Sequence, residues 1–329
     1  MFDLTTFKKK LFNITNGQFD QTALELFRYQ AVHNEIYTQY LQLLNINYKT
    51  IEKVVNIPFL PVEFFKTHQL VCPVGATVQK VFTSSGTTGT STSSHFIHDI
   101  DIYEQSFTRS FRQFFGNPDE YCILALLPSY LERDGSSLIY MVRHLIELSQ
   151  HPLSGFYLHN YEQLNNTLQQ ISKWNQKTLL IGVSFALWDF AEQFPQPLNN
   201  VTVIETGGMK GRRPEIVREA LHRIFCEAWD LTAVCSEYGM TELLSQAYSL
   251  GSGRFQCPPW MKVVTHEVND PFALAGYSET GALSVVDLAN VHSCAFLATQ
   301  DIGRLYKNGT FEVLGRFDYS DVRGCNLLV

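Results

Sequence analysis

The chain has 329 residues, of which 45% are hydrophobic and 13% aromatic, enough apolar side chains for a large core in one domain or two. Its 25 basic and 32 acidic residues give a formal charge of −7. This balance argues against a nucleic-acid-binding surface, so small molecules or proteins are the expected partners.

The seven cysteines form no Cys-x-x-Cys pair, so the sequence predicts neither a zinc site nor a disulfide framework. The basic trio Lys8–Lys10 is followed by polar residues rather than by an apolar run. Nowhere do about 18 apolar residues follow one another without interruption. We therefore expect a cytoplasmic protein with no integral membrane segment.

Residues 1–80 are expected to form a helical cap. Apolar residues recur at helical spacing from Gln21 to Leu44, and a proline-punctuated aromatic segment follows at Ile57–Phe65. From residue 81 to 254, strand-like runs alternate with helix-like runs, which predicts an α/β core with parallel pairing. The expected strands are 122–127, 178–183, 201–205 and 232–235, and the expected helices are 135–149, 160–174 and 214–229, the last starting at Pro214.

Beyond residue 255 the pattern changes to short strand-like runs. These runs cover 281–288, 293–297 and 311–314. They predict a small, mainly β subdomain at 255–329 that closes the chain.

The segment from Val81 to His95 is rich in serine, threonine and glycine. Glycines permit backbone conformations closed to other residues, and hydroxyl and amide donors can converge on an anion. The spacing Gly-x-x-x-x-Gly-Lys-Ser/Thr is absent, and a flexible linker is the alternative interpretation. The candidate phosphate-binding residues are Thr83, Ser84, Ser85, Gly86, Thr87, Thr88 and Gly89.

Gly207 and Gly208 follow the expected strand 201–205, at the carboxyl end where α/β sheets bind ligands. Small residues at this place let a flat base approach the backbone. A simple Gly-Gly turn between strand and helix is the alternative.

The run Tyr238-Gly239-Met240-Thr241-Glu242 follows the next expected strand. It can offer an aromatic face to adenine, a hydroxyl to a phosphate and a carboxylate to Mg²⁺, which prefers hard oxygen ligands. A first-turn carboxylate that interacts with a helix dipole is the alternative for Glu242.

Asp301 and Arg316 are the last two candidates. An aspartate that accepts hydrogen bonds from both ribose hydroxyls, beside an arginine, suits sugar and phosphate binding. An Asp-x-Gly turn and a surface arginine are the alternatives.

In their order along the chain, these motifs resemble the adenylate-forming superfamily of acyl-CoA synthetases, peptide-synthetase adenylation domains and luciferases. The resemblance spans residues 81–318 and implies ATP and Mg²⁺ as cofactors. It implies that Thr241 and Glu242 are catalytic, with Glu242 as the metal ligand, and that 81–254 is the ATP-binding and acyl-binding core.

The chain departs from the superfamily pattern in three places. No Pro-Lys follows Gly89, and Gln300 stands where glycine usually precedes the ribose-binding aspartate. The superfamily also has a mobile C-terminal domain with a catalytic lysine, whereas this chain ends eleven residues after Asp318. We therefore expect an adenylate-forming core without that domain.

This shorter architecture resembles the acyl-protein synthetases of bacterial bioluminescence, through residues 57–65, 205–213 and 323–326. That resemblance implies activation of a fatty acid as acyl-AMP and transfer of the acyl group to a protein cysteine. The implied acceptor is a protein such as a reductase. Cys325 is the candidate nucleophile, and a small buried residue in a last strand is the alternative.

The runs 126–130 and 182–187 follow expected strands and offer small, apolar walls, so a hydrophobic acid fits better than an amino acid. Both runs could equally belong to the core. For His95 and His98 a hydrogen-bonded or solvated histidine is favoured over a catalytic base. The rival functions are an aryl- or acyl-CoA ligase relative and a noncatalytic ATP- or acyl-binding subunit.

Overall fold

The computed structural model describes residues 2–72, 77–84, 92–128, 135–158, 160–209, 212–214 and 216–317. Its α-helices are α1 Leu4–Leu11, α2 Asn16–His33, α3 Glu35–Leu43, α4 Phe64–Thr67, α5 Ile100–Phe115, α6 Ser137–Ser149, α7 Tyr161–Lys173, α8 Ser184–Gln193 and α9 Arg218–Trp229. Its strands are β1 Leu60–Pro61, β2 Lys80–Thr83, β3 Ser94–Ile97, β4 Cys122–Leu126, β5 Gly155–Phe156, β6 Thr178–Gly182, β7 Val201–Glu205, β8 Cys235–Tyr238, β9 Ala247–Ser249, β10 Met261–Glu267, β11 Asp270–Leu274, β12 Thr280–Asp287, β13 Phe296–Leu305 and β14 Phe311–Arg316.

A mainly parallel sheet forms the centre of the α/β part, in the order β5-β4-β6-β7-β8-β9. Neighbouring strands from β5 to β8 are parallel, and β9 is antiparallel to β8. Every residue of β4 and β6 is buried, which explains their continuous apolar runs. Because parallel strands end at the same edge, the residues that follow β7 and β8 lie side by side there.

A second sheet has the order β1-β13-β12-β10-β11, with β14 also paired to β13. Its register places Asp301 of β13 opposite Arg316 of β14. Asp301 therefore lies within a paired strand, and the alternative of a turn is wrong. The late strands predicted at 281–288, 293–297 and 311–314 belong to this sheet, but β13 is longer than predicted, with 10 residues.

The helical pattern from Gln21 to Leu44 is divided at Asn34. The Asn34 Oδ1 atom accepts from the Tyr37 N–H at 3.0 Å and caps α3. Its Nδ2 atom donates to the Ser293 carbonyl at 2.9 Å. Gln30 Nε2 similarly donates to the Asn290 carbonyl at 2.8 Å, so these helices are fastened to the loop between β12 and β13.

Three predicted boundaries are wrong by several residues. The strand expected at 232–235 is β8, which begins at Cys235 because pairing with β7 starts there. The strand expected at 293–297 is β13, since Ser293 belongs to the preceding loop.

The helix expected from Pro214 begins at Arg218. Arg213 donates to Asp189 at 2.7 Å and to Glu192 at 2.7 Å, both on α8. These ion pairs hold the preceding segment against α8, and the helix starts only after the extended residue Val217.

Within the described ranges, no helix combines the length and apolarity needed to cross a bilayer. The division of the chain at residues 80 and 254 stays a proposal. The parallel pairing of β1 with β13 nevertheless shows that the N-terminal segment shares a sheet with the C-terminal one.

Gly303 gives a direct test of the packing between β13 and its neighbours. A Cβ atom at this position would lie 2.0 Å from the Glu312 carbonyl oxygen and 2.9 Å from Leu283. We expect Gly303→Ala to lower the free energy of unfolding by about 1–3 kcal/mol, the usual cost of overpacking. Urea denaturation measures this change.

Gly315 in the adjacent strand is the control, because a Cβ there would meet nothing within 4 Å. Equal effects of Gly303→Ala and Gly315→Ala would contradict the described register of β13 and β14.

Candidate active site

Three of the predicted site residues meet at the end of β8. The Tyr238 hydroxyl donates to Asp301 Oδ2 at 2.8 Å, and Arg316 Nε donates to Asp301 Oδ1 at 3.0 Å. Asp301 is buried, and the side chain of Arg316 is 73% exposed. Both oxygens of the carboxylate are thus oriented, and the arginine extends from it towards solvent.

The ring of Tyr238 packs against Phe255 and Phe311, with centroids 5.8 and 5.4 Å away. Burial and the charge of Asp301 raise the pKa of its hydroxyl well above the usual value. Tyr238 therefore stays a neutral donor to Asp301, a contact that the sequence did not predict. Stacking of this ring on adenine stays a prediction.

Gly207 and Gly208 follow β7 with φ values of +76° and +96°, a region that other residues rarely adopt. The Gly207 N–H donates to Glu205 Oε1 at 2.6 Å. Glu205 also accepts from the hydroxyls of Ser184 and Ser236. The backbone at Gly207 is thus fastened to the side chain of the last residue of the strand.

Glu205 is buried but is surrounded by donors and positive charge. Burial opposes ionisation, yet the hydrogen bond with His222 and the charge of Arg218 bring its pKa below the ordinary value. The His222 and Arg218 nitrogens each lie 3.7 Å from Glu205 Oε2. Glu205 therefore carries a buried negative charge behind the glycine turn.

The two ends of the Ser/Thr-rich loop are clamped together. The Ser84 N–H donates to the Ser93 carbonyl at 3.1 Å, and the Ser93 N–H donates to Ser84 Oγ at 2.9 Å. The Thr83 N–H donates to the Gly135 carbonyl at 2.8 Å. The predicted phosphate-binding residues Ser85, Gly86, Thr87, Thr88 and Gly89 lie outside the described residues.

Thr241 and Glu242 lie in a turn between β8 and β9 and not in a helix, so the helix-dipole alternative is wrong. His95 Nδ1 lies 2.9 Å from the Thr241 carbonyl, and Nε2 lies 3.0 Å from Ser293 Oγ. Because a carbonyl can only accept, Nδ1 carries the proton and Nε2 accepts from the serine. Burial lowers the pKa of His95 to about 4, so the ring is a neutral support, as expected from the sequence.

The same turn is held from the other side by the loop after β12. Asn290 Nδ2 donates to the Glu242 carbonyl at 2.8 Å. Asp287 accepts from the N–H groups of Leu244 and Ser245 at 2.8 and 2.9 Å, and from the Ser245 hydroxyl at 2.6 Å. The sequence did not single out Asp287 or Asn290, because nothing in their spacing points to a turn more than 40 residues earlier.

The side chain of Glu242 is buried beside the loop end. Burial raises its pKa, and the Ser93 hydroxyl and the charges of Arg316 and Lys66 act in the opposite direction. Among the described side chains, no group of three or more His, Cys, Asp or Glu could hold a metal ion. A single carboxylate fits Mg²⁺, which usually keeps waters and binds substrate phosphates.

Glu237 is a second carboxyl at this edge that the sequence did not single out. Burial and the charge of Glu205 raise its pKa to about 8. A Cβ at Gly239 would lie 2.5 Å from Glu237 Oε1, so a larger residue after Tyr238 would require this carboxyl to move.

The proposed apolar wall at 182–187 belongs to the core. Val183, Phe185 and Leu187 are at most 1% exposed, and a Cβ at Gly182 would meet Leu187 at 2.8 Å. Of the other run, Leu126 and Leu127 are fully buried, and Ser129 and Tyr130 lie outside the described residues.

Six of the seven cysteines lie within the described residues. Burial raises the pKa of all six in the described ranges, including Cys122 and Cys235, each to about 11. Cys325, the predicted nucleophile, lies outside the described residues.

The sequence from residue 12 to residue 329 matches the family described as acyl-protein synthetase, LuxE. The chain belongs to the LuxE acyl-protein synthetase family. This confirms the resemblance found in the motifs, and the LuxE-family chain is an enzyme of the ligase class. A search of curated proteins found no match.

Solved structures with the same fold include adenylate-forming ligases. The LuxE-family chain aligns with an open conformation of 2-hydroxyisobutyryl-CoA ligase bound to 2-HIB-AMP and CoA, with a TM-score of 0.68 and 12% identity over 91% of this chain and 70% of that one. It aligns with ATP-bound MatB from Rhodopseudomonas palustris with a TM-score of 0.53 and 16% identity over 75% of this chain and 49% of that one. The predicted α/β core fold of adenylate-forming enzymes is thereby confirmed.

The raised pKa of Glu237 predicts a pH-dependent stability. Between its ordinary pKa of 4.5 and about 8, the unfolded chain releases the Glu237 proton while the folded protein keeps it. Stability therefore falls as pH rises through this window, by at most about 1.4 kcal/mol per pH unit from this one group. Glu237→Gln stays neutral and should remove this slope, as urea denaturation at pH 5.5, 7 and 8.5 can measure.

Glu52→Gln, in an exposed loop, is the control and should leave the pH slope unchanged. The same slope for the wild type and Glu237→Gln would show that Glu237 ionises like an exposed carboxyl.

Proposed function

We propose that this chain uses ATP to activate a hydrophobic carboxylic acid as acyl-AMP and then passes the acyl group to a protein cysteine. One observation supports this most strongly. Tyr238, which with Arg316 orients Asp301, lies three residues before Thr241 at the same sheet edge, and the turn with Thr241 and Glu242 contacts the loop end through His95 and Ser93. Family membership agrees with this activity.

Asp301 is the proposed ribose ligand. Tyr238 and Arg316 orient its two oxygens, so a nucleotide meets a preorganised acceptor at low cost in side-chain entropy. Gly207 and Gly208 would lie under the adenine, because a glycine presents no side chain of its own to a flat base. Thr83 to Gly89 would bind the phosphates through hydroxyl and amide donors.

Glu242 is the proposed ligand of Mg²⁺, and the ion would supply positive charge to the reacting phosphates. Thr241, whose carbonyl is held by His95, places its hydroxyl in the same turn for a phosphate oxygen. The turn is preorganised by buried polar contacts, and such fixed groups stabilise developing charge without reorganising during the reaction.

The two half-reactions are displacements. A carboxylate oxygen of the acid forms a bond to the α-phosphorus, and the bond to the bridging oxygen breaks, so that pyrophosphate leaves with the electron pair. A thiolate then attacks the acyl carbonyl, and AMP leaves. We propose Cys325 as the thiol on this chain and a protein such as a reductase as the final acceptor.

Coenzyme A is the alternative acceptor. It is considered because some of the structural neighbours are CoA ligases. Labelling of the protein by the activated acid, with coenzyme A present as a competing thiol, distinguishes the two acceptors.

We expect carboxylate-dependent exchange of labelled pyrophosphate into ATP with one class of acid from a panel of short, medium, long-chain and aromatic acids. Glu242→Gln should lower the exchange rate by about 100-fold or more, because it removes charge at the reacting phosphates. Glu267→Gln, an exposed residue of β10, is the matched control. Folded wild-type protein that exchanges with no acid in the presence of Mg²⁺ would favour a noncatalytic subunit instead.

Cys325→Ser separates the two half-reactions. The variant should keep pyrophosphate exchange at the wild-type level and lose hydroxylamine-sensitive labelling of the protein by the activated acid. Cys226→Ser on α9 is the control and should keep both. A label that stays on Cys325→Ser, or that passes only to coenzyme A, would remove Cys325 from the proposed mechanism.

A further inference from the structure

The short helix α4 lies beside the proposed nucleotide site. The strand that precedes it, β1, pairs in parallel with β13, with Leu60 opposite Leu297 and Pro61 opposite Ala298. The Val62 N–H then donates to the Ala298 carbonyl at 2.9 Å. The chain therefore enters α4 next to the strand that carries Asp301.

Two side-chain contacts fix α4 at this position. Gln300, the residue directly before Asp301, donates from Nε2 to Glu63. The Phe65 ring packs edge-on against His95 with centroids 5.2 Å apart, and His95 holds the Thr241 carbonyl. The helix thus contacts both the residue next to the ribose aspartate and the support of the Thr241–Glu242 turn.

Lys66 follows Phe65 on this helix and brings a positive charge to the site. Its side chain is exposed, and it forms no ion pair within the ranges that the structure describes. It directly follows Phe65, which packs on the histidine that holds the Thr241 carbonyl. Its helix is fixed beside Gln300 and His95, so an ammonium group with no ion-pair partner among the described residues is available there to an anionic ligand.

The Ser/Thr loop itself has no such charge. From Thr83 to His95 the sequence contains neither lysine nor arginine, although a triphosphate binds best where cations accompany backbone donors. The carboxylates of Glu205, Glu242 and Asp301 at the same edge add negative charge that ATP must approach.

We propose that Lys66 binds the β- and γ-phosphates of ATP and supplies the cation that the Ser/Thr loop lacks. This proposal rests on the proposed adenylation function. When the bond between the α-phosphorus and the bridging oxygen breaks, the electron pair passes to pyrophosphate. The Lys66 ammonium stabilises the charge that develops there.

The test compares nucleotides that differ only in these phosphates. Isothermal titration of ATP and of AMP, each with Mg²⁺, would be carried out on the wild type, Lys66→Met and Lys66→Arg. We expect Lys66→Met to weaken ATP binding by about 10- to 100-fold, the usual effect of losing one charged contact. AMP binding should stay unchanged, and Lys66→Arg should restore most of the ATP affinity.

Lys53→Met is the matched control. Lys53 is also an exposed lysine, and it lies in the segment between α3 and β1. Circular dichroism melting verifies that each variant is folded. Unchanged ATP affinity in Lys66→Met, or equal weakening of ATP and AMP, would overturn the proposal while the adenylation function stands. A wild type that binds neither nucleotide and shows no pyrophosphate exchange would overturn the function and, with it, this role of Lys66.

Discussion

The buried carboxylate of Asp287 is the constraint on which the candidate site depends. The turn that carries Thr241 and Glu242 has no helix or strand of its own, so its backbone donors need partners elsewhere. Asp287 accepts from two of them and from the Ser245 hydroxyl. Since hydrogen bonds to a charged group contribute about 1.5–3 kcal/mol each, this one side chain largely determines where the turn lies.

Burying the carboxylate of Asp287 costs free energy, because its charge loses contact with water. Burial raises its pKa to about 6, although Ser245 and the backbone donors oppose that change. The carboxylate remains ionised at neutral pH because those donors replace its hydration. A buried charge that is satisfied only in one geometry selects that geometry, and it thereby fixes the backbone that follows Glu242.

The edge at which the nucleotide is proposed to bind carries several carboxyl groups. Glu205, Glu237, Glu242 and Asp301 all lie there, while the arginine and lysine side chains described beside them are Arg218, Arg316 and Lys66. Two unit charges about 4 Å apart interact by about 1 kcal/mol in water but by about 4 kcal/mol at an effective dielectric of 20. The burial of each positively charged side chain therefore decides how strongly it attracts an anion. Glu237 stays protonated at neutral pH and so does not add to the repulsion between the carboxylates and an anionic ligand.

The sequence by itself determined the element types, the α/β core and the order of the adenylate-forming motifs, because apolar periodicity and residues such as Gly207, Tyr238 and Asp301 are local signals. It misplaced the starts of β8, β13 and α9, where strand pairing or the ion pairs of Arg213 override local preference. Only the tertiary structure decided that Tyr238 and Arg316 meet at Asp301, that Asp287 holds the segment after Glu242 and that α4 lies beside Gln300 and His95. Those contacts join residues distant in sequence, and their energies arise from burial and charge that no local pattern encodes.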